Sequence, residues 1–92
     1  MFYGMQRAQR KQEDDTLAEE YRKKLGARIK QLRIKAGYSS YEFFAYDHNF
    51  SRAQWGRYEN GQNLKFGSLV KVVRALGVSL PEFFSEGFEQ PK

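Results

Sequence analysis

Between Leu17 and Phe84 the chain is cut by capping and turn residues into apolar stretches of helical period, and every stretch after the first is short. Leu17, Tyr21, Leu25, Ile29, Leu32 and Ala36 follow one another at steps of four or three, a single stripe along one helix. Thr16 with Glu19 reads as a capping box at its start, and Gly37 as its stop. A second helix is expected from Tyr41 to about His48, capped by Ser39 or Ser40, with Phe43, Phe44 and Ala45 turned inward. Asn49 stands where the chain must turn sharply, because Asn tolerates positive φ. Ser51 caps a third helix, Arg52–Glu59, which stops at Asn60-Gly61. Phe66, Leu69, Val72, Val73 and Leu76 mark a fourth, begun at Lys65, a poor cap, and closed by Gly77. Ser79 with Glu82 opens a fifth that holds Phe83 and Phe84. Helices this short are not stable alone in water, so they must share one core. The fold class is all-α.

Ninety-two residues allow one domain with one core. Eight Phe, six Tyr and one Trp supply its area without metals or disulfides. Residues 1–15, polar and ending in Glu13-Asp14-Asp15, are expected to form a flexible N-terminal arm or a helix ordered only by a partner. The domain then covers residues 16–86, with a C-terminal tail at 87–92. The absence of Cys excludes disulfides, a thiol nucleophile and a cysteine-based zinc site. With one His, no glycine-rich phosphate loop and no carboxylate pair on an evident shared face, the chain does not read as an enzyme. No metal, cofactor or small-molecule substrate is expected, and His48 reads as a packed or capping group. No apolar run approaches a membrane span and no signal-peptide stretch is evident, so a soluble, cytoplasmic protein without a membrane partner is expected.

The formal net charge is +5, and its placement says more than its size. Between Leu25 and Leu76 the cations are Arg28, Lys30, Arg33, Lys35, Arg52, Arg57, Lys65, Lys71 and Arg74, against Glu42, Asp47 and Glu59. The flanking segments are nearly balanced or acidic. The positive field therefore sits on the middle of the chain, as a polyanion-binding surface requires.

One ordered set of motifs is recognisable. Ser51-Arg-Ala-Gln-Trp-Gly-Arg-Tyr-Glu-Asn-Gly61 resembles the helix-turn-helix segment of Cro and the lambda-type phage repressors, with Trp55 and Tyr58 at the apolar positions. Leu25-Gly-Ala-Arg-Ile-Lys-Gln-Leu-Arg33 is similar to that family's first helix, and Ala75-Leu-Gly-Val-Ser-Leu-Pro-Glu-Phe83 to its closing segment. The resemblance covers about residues 25–84. Asn49 replaces the usual glycine of the turn, Tyr41 replaces the usual Gln, and the first link is one residue longer. It implies a five-helix lambda-repressor-like DNA-binding domain, here with an extended first helix. It also implies a structural ion pair between Arg33 and Glu59.

The resemblance places Arg52, Ala53 and Arg57 at DNA base edges. Tyr41, Ser51, Gln54, Asn60, Asn63 and Lys65 fall at phosphates. Independently of any family, a capped helix fits the major groove, and Arg grips guanine through two hydrogen bonds. The expected function is a sequence-specific regulator of double-stranded DNA, acting as a repressor. The alternatives are an antitoxin or a restriction-modification controller of the same fold, or a protein-interaction adaptor. Phe83, Phe84 and Phe88, with the Phe2, Tyr3 and Met5 cluster, exceed what five short helices hide, so a weak homodimer is expected. It would form through the C-terminal segment, supported by the N-terminal arm.

Overall fold

Serines begin three of the helices in the computed structural model, which describes residues 2–62 and 64–89, with side chains from Arg10 onward. The elements are α1 (Phe2–Lys35), α2 (Tyr41–Asp47), α3 (Arg52–Glu59), α4 (Phe66–Leu76) and α5 (Leu80–Phe83). The hydroxyls of Ser40, Ser51 and Ser79 accept from the backbone N–H of Phe43, Gln54 and Glu82, at 3.3, 3.0 and 3.2 Å. Each thus satisfies a donor that the first helical turn would leave bare. Ser40, not Ser39, is the cap of α2. Lys65 makes no side-chain cap at α4, where the flanking backbone alone sets the start. Chain reversals fall at Gly37 (φ 99°), Asn49 (φ 61°) and Gly77 (φ 76°), where left-handed backbone ends or joins helices. No strand occurs among the described residues.

The core gathers one face from every helix. Ile29 and Leu32 of α1, Phe44 and Ala45 of α2, and Trp55 and Tyr58 of α3 meet Leu69, Val72, Val73 and Leu76 of α4 and Phe83 of α5. Burying a side chain of this size contributes ~1.5–3 kcal/mol, which no single short helix could gather for itself. The Phe44 ring packs 4.6 Å from Trp55 and 4.0 Å from His48, whose Nδ1 lies 2.9 Å from the Phe44 carbonyl oxygen. Two expected core residues are not in it. Phe43 is 70% exposed and Phe66 68% exposed. Phe44 and Ala45 already fill the inward positions of a two-turn helix, and Phe66 opens α4 before its buried stripe begins at Leu69. Phe84, just past α5, is 45% exposed and packs against Phe83 and Phe88.

α1 departs most from expectation. Thr16 is not a cap: its hydroxyl donates to the Gln12 carbonyl at 2.9 Å in mid-helix. Of the two readings of residues 1–15, a flexible arm or a helix, the segment is helical from Phe2 and continuous with the domain's first helix. A capping box acts only where the chain upstream has left the helix. Here the upstream residues, Met5 to Glu13, are good helix formers without a breaker. Side chains from Arg10 to Glu20 are exposed, including Leu17, expected in the buried stripe. Ala36 lies past the end of α1 and is exposed too. Met1 and the side chains of Phe2, Tyr3 and Met5 lie outside the described residues. A helix of this length spans about 50 Å, which accounts for the 55 Å long axis of the molecule.

Among the described side chains of α1 two arginines are buried, and each finds a different partner. Arg28 is 4% exposed; its guanidinium donates to the carbonyls of Phe83 (2.7 Å) and Glu82 (2.8 Å), at the end of α5. Phe88 packs behind them, its ring 6.0 Å from Phe83, and the Lys24 ammonium donates to the Glu89 carbonyl at 2.7 Å. The chain past α5 therefore folds back along α1.

Candidate nucleic-acid interface

The site is a short helix held by its inner side so that its outer side is free. Trp55 is fully buried between Phe44 and Phe50, with ring centroids 4.6 and 4.9 Å away. Its indole N–H donates to Oε2 of Glu59, one turn on, at 2.6 Å. The same carboxylate receives the Arg33 guanidinium through two hydrogen bonds, Nε at 2.7 Å and Nη2 at 3.0 Å. The remaining Arg33 nitrogen, Nη1, donates to the Tyr38 carbonyl at 2.7 Å, so α1, the α1–α2 link and α3 share one polar knot. Both side chains are almost fully buried. A paired charge of this kind is costly to break, because its partner stays behind unpaired in a dry setting.

With Trp55 and Tyr58 inward, Arg52, Ala53 and Arg57 are exposed on α3. Arg52 Nη1 lies 3.6 Å from Glu42 Oε2, a solvent-exposed pair that water and salt weaken readily. Arg57 and Lys65 have no ion pair among the described residues. Ser51 and Asn60 are exposed at the two ends of the helix and Gln54 is half-buried. Asn63 lies outside the described residues. Tyr41 rests on Gly56: a Cβ built there would sit 3.5 Å from the Tyr41 ring, an ordinary contact.

Lys30 was not singled out from the sequence. It is exposed on α1 and lines a notch of about 260 Å³ with Tyr41, Gly56 and Asn60, over the Arg33–Glu59 pair. Its period on α1 marks it only as a surface residue, and the notch exists only once three helices meet. Glu59 is paired with Arg33 and Glu42 with Arg52, while Lys30, Arg57 and Lys65 enter no ion pair among the described residues, so the unpaired charge on this face is positive. Close by, the Tyr38 hydroxyl donates to Asp47 Oδ2 at 2.8 Å. That bond, with the nearby carboxylate charge, holds the phenol above the usual tyrosine range.

A capped helix anchored by one aromatic and one buried ion pair, set across a positive-φ turn from a second short helix, defines a DNA-binding helix-turn-helix regulator. The chain matches the helix-turn-helix family model over residues 29–83, more than half its length. It belongs to that family, in its lambda-repressor-like (XRE) branch. Comparison with curated proteins gave no match, and comparison with solved structures gave none either. The family is one of DNA-binding regulation rather than catalysis. No described helix is long and apolar enough to cross a membrane.

Proposed function

We propose that the protein is a cytoplasmic, sequence-specific repressor of transcription that lays α3 in the major groove of double-stranded DNA and binds as a weak homodimer. In this reading Arg52, Ala53 and Arg57 meet base edges. Tyr41, Ser51, Gln54, Asn60, Asn63 and Lys65 meet phosphates, and Lys30 in its notch joins them. The observation that carries it is the division of α3. Trp55, Tyr58 and Glu59 fix its inner side, while two arginines and a small residue stand outward with little to hold them. Arg in such a position reads guanine, and Ala accommodates the thymine methyl. Cations along the backbone supply affinity, with a steep dependence on salt.

A gel-shift titration on random duplex at two salt concentrations tests the DNA-binding part, and selection from a random pool then gives the preferred site. Binding that weakens steeply with salt and enriches a near-palindromic sequence supports the proposal. The exposed Phe43 and Tyr46 on α2 favour a second reading, a protein-interaction adaptor. Absence of duplex binding at low salt would select it.

A further inference from the structure

The exposed half of α1 ends beside an apolar groove. Ala18, Tyr21 and Leu25 wall one side and Leu69, Phe84 and Phe88 the other, with Arg22 beside them, around about 400 Å³. None of these residues belongs to α3. Followed back toward the N-terminus, the same helical face carries Asp14 and Lys11; with Ala18, Arg22 and Leu25 they lie on a strip roughly 80° wide at 3.6 residues per turn. Neither the Asp14 nor the Arg22 side chain has an ion pair or hydrogen bond among the described residues. This face is therefore part apolar and part charged, and its charges are unspent.

The strip is complementary to itself. When two such helices cross antiparallel with the two-fold axis at Ala18, Asp14 of one copy faces Arg22 of the other, and the pairing repeats symmetrically. Lys11 then faces Leu25, where its methylene stem can lie on the groove while the ammonium reaches water. Ala18 meets Ala18 on the axis, and the small side chain lets the backbones approach. A parallel pair in register would instead set Asp14 beside Asp14 and Arg22 beside Arg22. We infer that the occupant of this groove is the α1 helix of a second copy, docked antiparallel about Ala18 and locked by two reciprocal Asp14–Arg22 pairs. The inference deepens the dimeric part of the proposed function by naming its face. It also explains why α1 extends well past the core: the extension is the part that a partner holds.

The test uses the full chain without DNA, by sedimentation equilibrium. Asp14→Lys and Arg22→Glu should each raise the dimer dissociation constant at least tenfold, and the double variant should return it to within about threefold of the wild type. Circular dichroism of each variant should stay helical, since Asp14 is exposed and Glu is a good helix former. Cross-linking gives an independent readout in a chain with no native Cys. Ala18→Cys, on the axis, should form a covalent dimer on mild oxidation, and Thr16→Cys, on the opposite side of α1, should not. A wild type that stays monomeric overturns both this inference and the dimeric reading. A dimer indifferent to the single reversals, or one cross-linked equally through Thr16→Cys, overturns this face alone. DNA binding by α3 is measured separately and stands or falls by its own titration.

Discussion

Gly26 of α1 and Gly61, just past α3, touch backbone to backbone: a Cβ built on Gly26 would sit 2.6 Å from the Gly61 nitrogen and 2.6 Å from the Glu59 carbonyl oxygen. The contact is reciprocal, since a Cβ on Gly61 would come within 2.6 Å of the Arg22 carbonyl oxygen. The end of α3 is thus seated directly on the α1 backbone, with no side chain between them. Gly26→Ala gains helix propensity but forces two main chains apart, and the second effect prevails. It should destabilise the fold by ~1–3 kcal/mol, as overpacking does, and lower the midpoint of denaturant unfolding. An unmoved midpoint would mean that the two helices separate freely.

Removing the charge of Glu59 should be costlier. Glu59→Gln leaves the Arg33 guanidinium buried at 4% side-chain exposure without its anion. The expected loss is ~3–5 kcal/mol, the range for breaking one side of a buried pair. Trp55, the sole Trp and itself bonded to Glu59, reports the change by fluorescence. A midpoint that does not move would show that the pair behaves as a surface one.

Gly56 lies in mid-helix with only the Tyr41 ring near it, at ordinary contact distance. Gly56→Ala should therefore stabilise α3, by up to ~1 kcal/mol, read as a higher thermal midpoint. If DNA affinity falls while stability rises, the glycine serves close approach to the duplex. Unchanged affinity makes it merely tolerated.

The proposed function divides the cations by job. On the preferred duplex Arg57→Ala should cost roughly 1–3 kcal/mol and relax preference at one base pair. Lys65→Ala should weaken binding about equally on all sequences and lower the salt slope by roughly one. Isotherms on preferred and scrambled duplexes at several salt concentrations separate the two. Should Arg52→Ala and Arg57→Ala both leave specific binding intact, α3 is not the reader.

What could be read in the sequence is what is decided locally. Ser51, Asn49, Gly37 and Gly77 act on the backbone within a turn of themselves, and the bounds of α3 follow from Ser51 and Asn60-Gly61 alone. Arg33 and Glu59, 26 residues apart, were suggested by resemblance, because no period or spacing connects them. Phe43 and Phe66 were misplaced because an apolar residue at helical spacing marks a face without saying how much of that face the core can cover. Thr16 carried a capping signature that a strong helix-forming sequence upstream overrode. Gly26 gave no signal, since the backbone it must admit arrives from the far side of α3. Lys30 was hidden for the same reason.

Arg28 sets an order of events during synthesis. Its guanidinium donates to the carbonyls of Glu82 and Phe83, which are made 54 and 55 residues later, and also to Gln31 Oε1 at 2.8 Å, with Glu86 Oε1 3.3 Å away. Until α5 exists that guanidinium stays in water, and the core lacks Phe83, a fully buried ring whose burial contributes ~1.5–3 kcal/mol. A nascent chain halted before Ser79 should therefore hold its first helices without a fixed core and stay sensitive to protease along its whole length. The short α5 thus completes the seat of α1, and the core closes only after its most distant piece has been made.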